Sequence, residues 1–99
     1  KPRNYEEIQG QFIGLIKVHR NHLVRFRQLH ETMDPNISYE GTNLKQIYMT
    51  TFIQYAINHG WPVKAVPISN GWLEVDTYKE LKLYRRMEAN GTLSDFFRF

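Results

Sequence analysis

Two carboxylates and an indole, Trp72, Glu74 and Asp76, stand within five residues of one another. The run that carries them, Gly71-Trp72-Leu73-Glu74-Val75-Asp76-Thr77, alternates apolar and acidic residues as a short strand does when one face is covered. Thr77-Tyr78-Lys79-Glu80 follows as a T-x-x-E capping box that opens a helix. Thr77 can cap that helix with its own hydroxyl, so Asp76 keeps an unengaged carboxylate at a strand end. Ligands and metals gather at that position in α/β sheets. The same pattern also describes the solvated face of an edge strand, with Glu74 and Asp76 turned to water.

Other chemistry is thinly represented. His19 and His22 form an H-x-x-H pair, but they straddle a strand end and a helix cap, and no third ligand follows at useful spacing. The absence of cysteine removes disulfide, thiolate and zinc–cysteine chemistry together, and fits a cytoplasmic protein. Neither a G-x-S-x-G elbow nor a P-loop pattern occurs. Asn36-Ile37-Ser38 and Asn90-Gly91-Thr92 are sequons of the kind short polar loops produce by chance. Arg25, Arg27, Arg85 and Arg86 recur at helical spacings that mark solvated faces rather than a nucleic-acid groove.

Ninety-nine residues make one small domain, and 41% hydrophobic content with 14% aromatic is enough to build a core. No apolar run approaches the length of a membrane span, and no signal-peptide pattern opens the chain. A net charge of +3, spread rather than clustered, is compatible with a phosphorylated ligand and speaks weakly for nucleic acid.

The elements that must position the carboxylates follow from the patterning. Gln11 to Val18 is an almost continuous apolar run, expected as a strand buried on both faces, with Gly14 marking a bulge or close backbone approach. Asn21 is placed to cap a helix to about Met33, stopped by Asp34-Pro35-Asn36. Thr42 or Asn43 can cap a second helix over Leu44 to His59, with Leu44, Ile47, Tyr48, Thr51 and Tyr55 on one stripe and Gly60 as its C′ residue. Val63 to Ile68 alternates like a strand, and Asn70-Gly71 is a hairpin signal that would pair it with the Trp72–Asp76 stretch. The last helix runs from Tyr78 to about Ala89, with Leu81, Tyr84 and Met87 inward. Phe96, Phe97 and Phe99 in the tail either dock on the domain or face a partner chain. The expectation is an α/β fold of order β-α-α-β-β-α, part of a three-layer Rossmann-like mixed sheet.

Four segments in order resemble one enzyme family. Gly60-Trp61-Pro62-Val63-Lys64-Ala65-Val66 and Gly71-Trp72-Leu73-Glu74-Val75-Asp76-Thr77 look like the C-terminal portion of nucleotidyltransferases with a MobA-like NTP-transferase fold. The likeness is to the branch of phosphocholine and aminoethylphosphonate cytidylyltransferases and sugar-phosphate nucleotidyltransferases. Gly10-Gln11-Phe12-Ile13-Gly14-Leu15 is similar to the family's G-E-F-I-G-L strand, and Tyr48 to Gln54 to its Y-L-T-D-L-L-Q helix. The resemblance covers most of residues 10 to 84.

It implies Mg²⁺-dependent transfer of a nucleoside monophosphate, CMP foremost, from an NTP to a phosphorylated or phosphonate acceptor, with release of pyrophosphate. On that reading Asp76 is the catalytic and metal-binding residue, and Gln11, Trp72 and Glu74 contact substrate. Trp72 serves equally as plain packing. Gln11 stands where the family often has Glu, Thr51 where Asp is usual, and Tyr78 where Pro is frequent. The glycine-rich NTP-binding half is not in residues 1–99, so the expectation is a single unit forming the C-terminal part of a longer, cytoplasmic enzyme, inactive alone. A non-catalytic interaction module, self-associating through a sheet edge or the Phe-rich tail, is the alternative. Nucleic acid and membrane are not expected partners.

Overall fold

The computed structural model describes residues 2–97, so Phe99, Arg98 and Lys1 lie outside the described residues. The chain divides into two compact units, Lys1–Ala65 and Val66–Phe99.

Two helices build the first unit, α1 (Leu23–Glu31) and α2 (Met49–Asn58). Apolar residues at helical spacing give each an inner face: Phe26, Leu29 and Met33 on or just past α1, Phe52 and Ala56 on α2. Leu29, Met33, Phe52 and Ala56 form the buried cluster, with Tyr39, Leu44, Ile47, Tyr55 and Trp61 packed around it. Phe26 meets Phe52 at 5.0 Å and Trp61 edge-on at 5.5 Å, a preferred geometry for aromatic pairs. Thr51 is the buried polar member, and its hydroxyl donates to Glu40 Oε2 at 2.6 Å.

Helix ends follow local chemistry. His19, rather than Asn21, is the side-chain cap at the start of the first helical segment: its Nδ1 accepts the Asn21 N–H at 3.3 Å and opens a 3-10 turn, Arg20–His22, ahead of α1. The predicted 44–59 helix is broken. Asn43 caps a 3-10 turn, Leu44–Gln46, after which Ile47 and Tyr48 are extended and α2 begins at Met49. Tyr48 thereby leaves the expected stripe and is 72% exposed. At the other end the expectation holds. Gly60 takes φ +79°, Gly60 N–H donates to Ile57 and Trp61 N–H to Ala56, a complete Schellman closure.

The second unit contains α3 (Tyr78–Ala89) and a 3-10 turn, Leu93–Asp95. Leu81, Tyr84 and Met87 are half-buried, as their spacing predicts. Gly91 at φ +72° repeats the closure, with Gly91 N–H to Glu88 and Thr92 N–H to Met87.

The expected α/β sheet is absent from the described residues, which form no strand and a single antiparallel bridge between Tyr39 and Thr42. The β-α-α-β-β-α order and the three-layer Rossmann-like mixed sheet are therefore corrected to an architecture of helices joined by extended segments. Apolar runs and alternation give a segment strand propensity, but a strand forms only where its N–H and C=O groups find a neighbour's. Residues 11–18 find none among the described residues, and Leu15 is 78% exposed instead of buried on both faces. Gly14 bends that segment at φ +82°, and a Cβ there would meet nothing within 4 Å, so the need is for the dihedral and not for a close approach. Val66, at 79% exposed, shows the same for the segment before Asn70.

Candidate functional site

The site begins at the N-terminus of α3. Thr77 caps the helix, its Oγ1 accepting the Glu80 N–H at 3.3 Å. Glu80 returns the contact, and one oxygen, Oε2, accepts from Thr77 N at 2.7 Å, from Asp76 N at 2.9 Å and from Thr77 Oγ1 at 2.9 Å. The Thr77 hydroxyl first, then the Thr77 and Asp76 N–H groups, hold the Glu80 carboxyl below its ordinary value, against a smaller opposing effect of burial. Glu80 also complements the positive end of the helix.

Asp76 is thus fixed by its backbone while its side chain is left out of the cap. Its carboxylate is exposed and takes no hydrogen bond from the described residues. Glu74 is likewise exposed, and Trp72 and Leu73 are half-buried side by side. The expected alternation is not kept, since Val75 is exposed instead of sharing a covered face with Leu73.

The other end of the stretch is tied as well. Asn70 (φ +59°) and Gly71 (φ +83°) both take the left-handed backbone that a tight two-residue turn requires. No second strand pairs across this turn. Asn70 Nδ2 instead donates to the Asp95 carbonyl at 3.0 Å, and Gly71 N–H to the Phe96 carbonyl at 2.9 Å. Asn-Gly announced the turn in the sequence. Its partners are backbone carbonyls of the tail, for which residue types give no signal.

Trp72, Glu74 and Asp76 therefore share one anchored stretch in the second unit, while Gln11 lies exposed on the extended segment of the first. Among the described residues no group of three or more His, Asp or Glu is gathered as a metal cage. A single free carboxylate still suits Mg²⁺, which takes one or two carboxylates and completes its shell with phosphate oxygens and water. Among the described residues no helix is long and apolar enough to cross a membrane.

No protein-family profile matches the chain. No solved structure matches it. The chain is similar to a curated protein, CTP:phosphoglutamine cytidylyltransferase of Campylobacter jejuni subsp. jejuni serotype O:2, at 35% identity over 83 residues. That alignment takes in 84% of this chain, and the chain spans about a third (33%) of the relative's length.

Proposed function

We propose that this chain belongs to the catalytic apparatus of a cytidylyltransferase that moves CMP from CTP to a phosphorylated small molecule. What carries the reading is the 83-residue similarity to an enzyme named for that chemistry, which fits the free carboxylate of Asp76. An acceptor phosphate or phosphonate oxygen forms a bond to the α-phosphorus of CTP, the bond to the β-phosphate oxygen breaks, and pyrophosphate leaves. No side-chain nucleophile is needed for such an in-line exchange, because positioning and charge neutralisation do most of the work.

Asp76 is the residue that would hold Mg²⁺, which when bound offsets the negative charge of the triphosphate. The Glu80 grip on the Asp76 N–H fixes the backbone that carries this carboxylate. Glu74 supplies a second exposed carboxylate two residues away, facing acceptor. Trp72 offers an indole face to the acceptor's organic part, including a cationic one if the acceptor carries an amine.

The test is pyrophosphate release by the native full-length protein, with Mg²⁺, each NTP in turn, and phosphoglutamine, phosphocholine, aminoethylphosphonate and hexose 1-phosphates as acceptors. Release is expected with CTP and one acceptor. Asp76→Ala should abolish it, while Asp76→Glu should retain a fraction that rises with Mg²⁺ concentration. Silence across the panel from a folded protein would overturn the transferase reading in favour of a non-catalytic interaction module.

A further inference from the structure

A second group of side chains converges in the first unit, apart from Gln11, Trp72, Glu74 and Asp76. Between α1 and the end of α2 lies a cleft of about 550 Å³, lined by Arg25, Gln28 and Thr32 on one side and Tyr55, His59 and Trp61 on the other. That volume falls in the range of small-molecule sites. The buried side chain of Leu29 gives it an apolar floor.

Its charge has one sign. Arg25 is the charged residue of the lining, its guanidinium carbon 5.4 Å from the centre of the Trp61 ring, and no ion pair engages it among the described residues. The acid at the end of the same helix, Glu31, is held by Arg27 at 3.3 Å. No Asp or Glu lines the cleft. Arg25 thus presents a planar guanidinium beside Trp61, the group that takes carboxylate or phosphate through two hydrogen bonds.

The opposite wall is aromatic and has its hydrogens assigned by its contacts. Tyr55 and His59 lie ring to ring at 4.0 Å with 32° between their planes. His59 Nδ1 stands 2.8 Å from the Tyr55 carbonyl oxygen, which only accepts, so Nδ1 carries the hydrogen and Nε2 is left for a ligand. Thr32 donates its hydroxyl hydrogen to the Leu29 carbonyl at 2.6 Å, so the 3.2 Å contact with Tyr55 is a hydrogen bond from the phenol. Both hydroxyls are thereby committed, and Arg25 and Gln28 remain as the donors for an incoming group.

We propose that this cleft binds a small organic anion carrying a flat ring, its carboxylate or phosphate on Arg25 and its ring against Trp61 and the Tyr55–His59 pair. The sequence placed Arg25 on a solvated face; only the fold sets it over Trp61.

The experiment uses the native full-length protein and follows the His59 ring resonances by NMR, assigned by their loss in His59→Gln. Phenyl phosphate, benzoate, inorganic phosphate and benzyl alcohol are titrated. A saturable His59 shift is expected from phenyl phosphate or benzoate, the tighter of the two naming the anion. Inorganic phosphate and benzyl alcohol should each bind about tenfold more weakly or worse, lacking ring or charge. Arg25→Gln should weaken the aromatic anion by about tenfold or more, and Arg25→Lys by less, because ammonium cannot form the paired contact. Trp61 also packs on the core, so Arg25 and not Trp61 is the residue varied. Unchanged affinity in Arg25→Gln, equal binding of benzyl alcohol, or no saturable binding at millimolar ligand would each overturn the proposal.

Discussion

Around α1 and α2, four apolar side chains meet with at most 9% of their surface exposed, whereas α3 buries none of its twelve residues. The first unit is held by contacts between residues far apart in sequence, such as Phe26 with Phe52 and Trp61. In the second, the hydrogen bonds outside the helical ladder of α3 lie at its two ends, in the 3-10 turn that follows and in the link from Asn70 and Gly71 to the tail. Packing therefore secures the cleft, while caps and turns secure the stretch that bears Asp76. Damage to each should look different.

The largest effect is expected in the packed region. Phe52→Ala removes the ring that meets both Phe26 and His30, and should cost about 3–5 kcal/mol, a large part of a small domain's stability. Loss of near-ultraviolet circular dichroism and a lower urea midpoint would register it. Gly60→Ala comes next, at about 1–2 kcal/mol, since a left-handed φ is forced on an L-residue. Open space around that position makes the penalty purely conformational, so Gly60→Asn should recover part of it.

Thr77→Ala tests the other region and should cost about 1 kcal/mol, read as faster amide exchange over the first turn of α3 with exchange in α1 and α2 unchanged. Acid gives the finest test. Because folding lowers the Glu80 carboxyl below its ordinary value, the associated stability is present above the usual glutamate range of about 4.3 and is lost as pH falls through the lowered value. α3 should fray at its N-terminus on acidification, and Glu80→Gln should remove that dependence. Amide exchange in α1 and α2 should be the same in Glu80→Gln as in the native chain across the pH range, and a difference there would break the distinction between the regions.

What could be read from the residues divides along the same line. Thr77 with Glu80, and Gly60, were legible because each motif closes hydrogen bonds over three to five neighbouring positions. The stripe expected for the second helix caught the buried Thr51 but left out Phe52, and Ile47 and Tyr48 interrupt the run that seemed to continue it. The strands were not legible in the same sense. Val63 to Ile68 and Trp72 to Asp76 have the composition of strands, but pairing depends on a second backbone that local pattern does not specify. Asp76 was legible as a carboxylate spared from capping, but T-x-x-E promises only the Thr77 N–H to Glu80, and the added contact from the Asp76 N–H appears with the fold. The tail carbonyls of Asp95 and Phe96, and the meeting of Arg25 with Trp61, arise from the folded path alone.

The stretch from Trp72 to Val75 is spanned by two tethers, one at Asn70 and Gly71 and one at Asp76 and Thr77. Ordering a free residue costs about 1–2 kcal/mol of chain entropy. Here much of that loss falls on folding, before any ligand arrives. A molecule that engages Trp72, Glu74 and Asp76 meets backbone already confined, so the entropic penalty of its capture is correspondingly small, and weak contacts suffice to hold it.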